Sequence, residues 1–154
     1  MLTPKLAAKA LLTKAAGSQV ALSNLQLQKL IYLAHGVHLA RHGQPLVSEQ
    51  FQAWRYGPVN ENLYHELKYF GSDPIPSTHP IVKFWGSAEL DIDSNKSISD
   101  VVDAFGELLP QRLVGITHDS DGPWAKVYKE GVSQIEIPND DIQRYFETRL
   151  KKKN

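Results

Sequence analysis

Six histidines are the side chains of this sequence best suited to chemistry, and three of them, His35, His38 and His42, share a helical spacing. At 100° per residue they fall within roughly 60° of one another, a disposition that would suit imidazole ligands to zinc or iron. The same sector carries Leu27, Ile31 and Ala34 and no carboxylate. The plainer expectation is therefore polar side chains that border a core and bond to nearby backbone. His118-Asp119-Ser120 holds the residue types of a hydrolase triad. Neighbours in a turn cannot aim at one another in that relay, however, and no Gly-x-Ser-x-Gly elbow occurs. His65-Glu66 lacks the second histidine of a His-Glu-x-x-His site, and neither common phosphate-binding glycine loop is present. No catalytic residue, metal or cofactor is expected, and a metal-dependent enzyme built on the histidines is the minor alternative.

Trp54-Arg55-Tyr56-Gly57-Pro58 carries a different chemistry. Trp, Arg and Tyr are the residue types enriched in protein-binding hot spots, because each joins a large contact area to a directed polar group. Gly57 and Pro58 can make and stiffen a turn, which alone would account for the composition. Both readings hold together if Trp54 points inward and Arg55 outward. Tyr64 and His65 open the next helix, Tyr64 toward the core and His65 toward solvent.

The elements that must position these residues are mostly helical. Thr3-Pro4 reads as an N-cap followed by proline at the first helical position, with Gly17 as a stop. Ser23-Asn24-Leu25-Gln26 is a capping box, with Leu22 and Leu27 placed for a hydrophobic staple. The helix it opens runs to His42, where Gly43 can take the left-handed cap. Apart from a narrow charged stripe near Lys29 it is apolar all round, which predicts a central buried helix over about 22–42. Gln50 to Arg55 reads as a short strand. Asn60 caps a helix with Leu63, Tyr64, Leu67 and Phe70 inward and Gly71 at its end. Residues 72–80, with three prolines, read as a loop. Ser97 or Ser99 is the expected cap for a helix through Val101, Phe105 and Leu109, and Pro110 starts another. Pro123-Trp124 opens a short helical piece, and Ile135-Glu136-Ile137 alternates as a brief strand. Asn139 is the expected cap of a closing helix with Ile142, Tyr145, Phe146 and Leu150 on one face, and Lys151-Lys152-Lys153 suits its C-terminal end. The fold class expected is mainly α, a compact helical domain with one or two short β hairpin segments, and a single domain over 1–154.

With 154 residues, one core needs neither disulfides nor metal. Basic and acidic residues balance at 17 each, so no overall field draws the chain to nucleic acid or anionic lipid. Cysteine is absent, no apolar leader is visible and no run approaches a membrane span. A cytoplasmic location is expected.

The ordered blocks Leu25 to Gly36, Phe51 to Val59, Tyr64-His65-Glu66 and Thr117-His118 with Gly122-Pro123-Trp124 resemble the Panacea domain of the SocA-like and GepA-like antitoxins. Ile142 to Phe146 is similar to that family's closing helix. The chain departs from the commonest pattern at Val37, where an aromatic is frequent, and at Gln52, where an acid is usual. The resemblance implies an antitoxin that silences a protein toxin encoded by an adjacent gene, on a chromosome or a prophage, through direct contact. Residue type and expected placement, rather than the resemblance, give the expected partner-binding residues: Trp54, Arg55, Tyr56, His65, His118 and Trp124. An alternative is a proteolytic adaptor that hands its toxin to a AAA+ protease. Because the match begins so near the N-terminus, an added DNA-binding region is not expected.

Overall fold

A helix that is buried on nearly every side sets the architecture. In this computed structural model, which describes residues 1–87 and 89–151, that helix is α2, Asn24–His42. Ser23 accepts from the Gln26 amide while the Gln26 side chain accepts from the Ser23 amide, so the expected capping box forms in full. Gly43 closes the far end at φ 67°. α1, Pro4–Gly17, precedes it and is capped by the Thr3 hydroxyl as expected. It ends at Gly17, as expected, with Ser18 as its C-cap, and Gln19 makes the positive-φ turn at 60°.

A two-stranded antiparallel hairpin follows, β1 (Gln52–Trp54) and β2 (Gly57–Val59), with Ala53 opposite Pro58 and Trp54 opposite Gly57. The segment 135–137, expected as a brief strand, forms only an isolated antiparallel bridge, Glu136 opposite Gln52 of β1. Ala53 donates to the Ile135 carbonyl and Ile137 to the Phe51 carbonyl, both at 2.8 Å. Then come α3 (Glu61–Leu67), a 3-10 turn over Lys68–Phe70, α4 (Pro80–Phe84), α5 (Ile92–Phe105), α6 (Pro110–Thr117), α7 (Pro123–Val127) and α8 (Asn139–Lys151). α2 touches α1, α3, α5, α6, α8 and β2, and so serves as the axis of the packing. The terminal Lys152 and Lys153 lie outside the described residues.

Three local expectations change. The end of the proline-rich loop is a short helix, because the His79 ring accepts from the Ile81 amide as a cap and Pro80 stands at the first helical position. α5 starts at Ile92, five residues before Ser97, capped by Asp91 through the Ser94 amide at 2.7 Å. Ser97 is instead a buried interior residue bonded to the ring of His38 at 2.9 Å. Asn139 spends its side chain on His35 Nε2 at 2.9 Å rather than on its own helix.

The α2–α8 contact depends on Gly36. A Cβ built there would stand 2.3 to 2.6 Å from the Phe146 ring, closer than any real contact allows. Gly36→Ala is expected to cost about 2 kcal/mol through overpacking, measured by chemical denaturation. An unchanged midpoint would show that Phe146 swings away freely.

Candidate functional site

The hairpin turn is where polar and aromatic side chains converge, and its shape follows from one glycine. Gln19 and Gln134 are the non-glycine residues of positive φ, so Arg55 and Tyr56 both turn with negative φ. Gly57, at φ 117°, takes the step that other residues resist. Arg55 and Tyr56 consequently form an exposed apex, with the guanidinium 5.5 Å from the centre of the tyrosine ring. Tyr56 is 57% exposed.

Behind the apex lies a stack of rings. His118 lies parallel to Trp124 at 3.8 Å and 9°, and Trp124 to Tyr128 at 4.5 Å and 16°. The Trp124 indole N–H donates to the Trp54 carbonyl at 2.7 Å, which ties the stack to β1. Trp54 meets Tyr64 edge-on at 4.8 Å and approaches the exposed His65 at 6.3 Å. Its own N–H donates to Gln52 Oε1, and Gln52 in turn donates to Glu61.

The six sequence-selected residues therefore lie in one unbroken series of contacts. Arg55 touches Tyr56, the Tyr56 backbone meets His118, His118 stacks on Trp124, Trp124 bonds Trp54, and Trp54 nears His65. Burial divides them. Arg55, Tyr56 and His65 are exposed, Trp54 and His118 are half-buried, and Trp124 is buried. The last three form the backing, as the inward placement of Trp54 and outward placement of Arg55 required.

Lys29 lies beneath the turn. It is 1% exposed, so the narrow charged stripe of α2 faces the hairpin. Its ammonium donates to the Pro58 carbonyl at 2.9 Å. Burial draws its pKa down from 10.5 to about 7, because desolvation disfavours the charged form. The neighbouring Gln28 accepts from the Asn60 amide at 2.9 Å, so α2 holds β2 and the cap of α3 at two adjacent points. His118 is held below the ordinary histidine range first by burial and next by the charge of Lys29, against a smaller contribution from the Tyr56 backbone. Its Nε2 is buried with no hydrogen-bond partner among the described residues. Lys29, Gln28 and Tyr128 escaped the sequence reading of this site. Only the Lys-Leu pair within an otherwise apolar helix hinted at Lys29.

The histidines of α2 take separate partners, although the rings of His38 and His42 lie 4.8 Å apart. His35 Nε2 bonds Asn139 while its Nδ1 accepts from the Val47 amide at 3.3 Å. His38 bonds Ser97, and His42 faces Asp93 at 3.9 Å. Among the described residues no three His, Asp, Glu or Cys side chains gather closely enough to hold a metal ion. Asp119, second of the apparent triad, accepts from Tyr145 at 2.6 Å and pairs with Arg149. The Tyr145 hydroxyl, the Asp121 amide and the Arg149 guanidinium hold its carboxyl below the usual range.

The span of sequence that builds this site is what a family profile recognises. The family described as "Antitoxin SocA-like, Panacea domain" matches residues 27–125, from the first turn of α2 to α7, well over half the chain. The chain belongs to this family. It is also 37% identical over 127 residues to the protein named Antitoxin SocA from Caulobacter vibrioides (strain NA1000 / CB15N), a match that covers 76% of this chain. The same match covers 65% of that relative, just under two thirds of its length. No solved structure matches the chain. Among the described residues no helix is long and apolar enough to cross a membrane.

Proposed function

We propose that this chain is an antitoxin that neutralises a protein toxin encoded by an adjacent gene, by direct and stoichiometric binding without catalysis. Family membership supports the class of activity. The observation that carries the location is the exposed Arg55-Tyr56 apex set on a rigid backing of stacked rings. Binding energy concentrates in aromatic and arginine side chains that lose little freedom on docking, and the backbone of this apex is fixed by the β1–β2 pairing and the Lys29 bond to Pro58. His65 extends the same face. Beside it a shallow groove of about 640 Å³ runs between Trp54, Arg55, His65 and the 128–134 loop, wide enough to receive a partner segment. The toxin's working site is covered or distorted by this contact.

Growth of cells in which the adjacent reading frame is induced alone, and then together with this chain, tests the reading. Rescue with a complex recovered by pull-down is expected. Toxicity that persists beside abundant folded chain would remove the proposal. Arg55 is exposed and forms no ion pair among the described residues. Arg55→Glu is therefore expected to weaken binding about tenfold or more while the melting temperature stays within about 2 °C. Lost stability with retained affinity would make Arg55 part of the scaffold.

A further inference from the structure

We propose that Lys29 is a positioning residue of the docking face, holding the Arg55-Tyr56 turn in place through the Pro58 carbonyl and the cleft under Gly57. The part that concerns partner affinity rests on the proposed binding role of that turn. The placement of the turn itself does not.

Three independent observations meet at one point. The Lys29 side chain is fully enclosed, yet the partner it reaches is a backbone carbonyl of β2 rather than a carboxylate. Gly57 sits directly against the lysine stem: a Cβ there would lie 2.8 Å from Lys29 Cε, 2.9 Å from Thr117 Oγ1 and 3.3 Å from Lys29 Nζ. Thr117 is itself fixed, its hydroxyl donating into the last turn of α6 toward the Leu113 and Val114 carbonyls. Lysine stem, glycine and threonine therefore interlock, and the left-handed step that aims Arg55 and Tyr56 outward is seated in that lock. Next to it, Gln28 grips the Asn60 amide, so β2 cannot slide along α2 without breaking both bonds.

An enclosed ammonium is a costly way to fill space, since a methionine of similar length would pack without the desolvation penalty. What methionine cannot supply is a donor to Pro58. Lys29→Met should leave the helical core formed and release the turn.

The test uses the full chain and its three indole N–H signals. Trp124 reports the hairpin through its bond to the Trp54 carbonyl, whereas Trp85 lies beside α4 and serves as an internal control. In Lys29→Met the Trp124 indole resonance and the Arg55, Tyr56 and Gly57 amides are expected to shift or broaden while Trp85 stays fixed. Affinity for the product of the adjacent gene should fall about tenfold or more. Unmoved turn resonances would overturn the proposal whatever the affinity does, and a displaced turn with wild-type affinity would overturn its bearing on the partner. A wild-type chain that binds nothing would remove the interface reading alone, because the resonances still decide the placement. Should Lys29→Met fail to fold, wild-type protein provides the answer. The Val59 amide, across the peptide from Pro58, should titrate with the same midpoint as the Lys29 Cε protons, with His118 followed separately by its ring protons. A Val59 amide that ignores the Lys29 titration would overturn the proposal.

Discussion

Raising the pH from 7 to 9.5 is expected to stabilise the fold by about 3 kcal/mol, through Lys29 alone. Its pKa is about 7 in the folded chain against 10.5 when solvated. Between those values the unfolded chain binds a proton that the folded chain refuses, so unfolding takes up protons and stability climbs with pH. The penalty on the folded state is complete below about 7, shrinks through the window and vanishes above 10.5. Stopping at 9.5 keeps clear of the tyrosines, Tyr32 above all, whose burial pushes its hydroxyl upward and would act in the opposite sense. In melting temperature the gain is about 8 °C for a chain of this size. Lys29→Met should flatten the profile over the same range, and denaturant titrations of both proteins at pH 7, 8 and 9.5 measure the difference. Parallel profiles would mean that Lys29 keeps its proton in the folded chain, with water or a shift of β2 supplying what Pro58 alone does not.

This lysine also shows where the sequence stops being informative. Caps and turns are written in consecutive residues, so Thr3-Pro4, Ser23 with Gln26, Asn60 and Gly43 disclosed their elements directly. Their physics is an orphan amide and a side chain three residues away. Long-range partners leave no such mark. Ser97 suits a cap as well as it suits a bond to His38, and Asn139 suits a cap as well as a bond to His35. Only the packing of α2 against α5 and α8 decides. Lys29 fell into the same class, because periodicity assigns a charge to the surface and cannot see a hairpin folded over it. Of the proposed docking face, residue types pointed to the apex and the ring-bearing backing, and the family resemblance gave their order. The stack of His118, Trp124 and Tyr128 joins α7 to the residues that flank it on either side, and its tie to Trp54 is a contact of tertiary structure.

The opposite limb of the pH profile belongs to His35. It is fully buried, donates from Nε2 to Asn139, accepts at Nδ1 from the Val47 amide and lies 5.2 Å from the Phe51 ring. With one nitrogen committed as acceptor, protonation would turn that nitrogen's lone pair into a second N–H aimed at an amide. Burial first, and the nearby His38 in smaller measure, draw its pKa down to about 4, against a partial rise from Asn139. The sign is that of Lys29 displaced to acid: stability is intact above 6.5 and is lost as the pH falls toward 4. Between pH 7 and pH 4.5 the expected loss is about 2.5 kcal/mol. His38 and His118, also held below their ordinary range, add to it in the same direction. Most of this precedes the carboxylates, since Asp91, Asp100 and Asp119 are held low by their hydrogen bonds. His35→Gln retains a donor and an acceptor without a titrating ring. It should be less stable at pH 7, having lost the contact with Phe51, yet flatter between pH 7 and 4.5. An equally steep variant would assign the acid transition to His38 and His118, and would mean that α8 tolerates an imidazolium at its first residue.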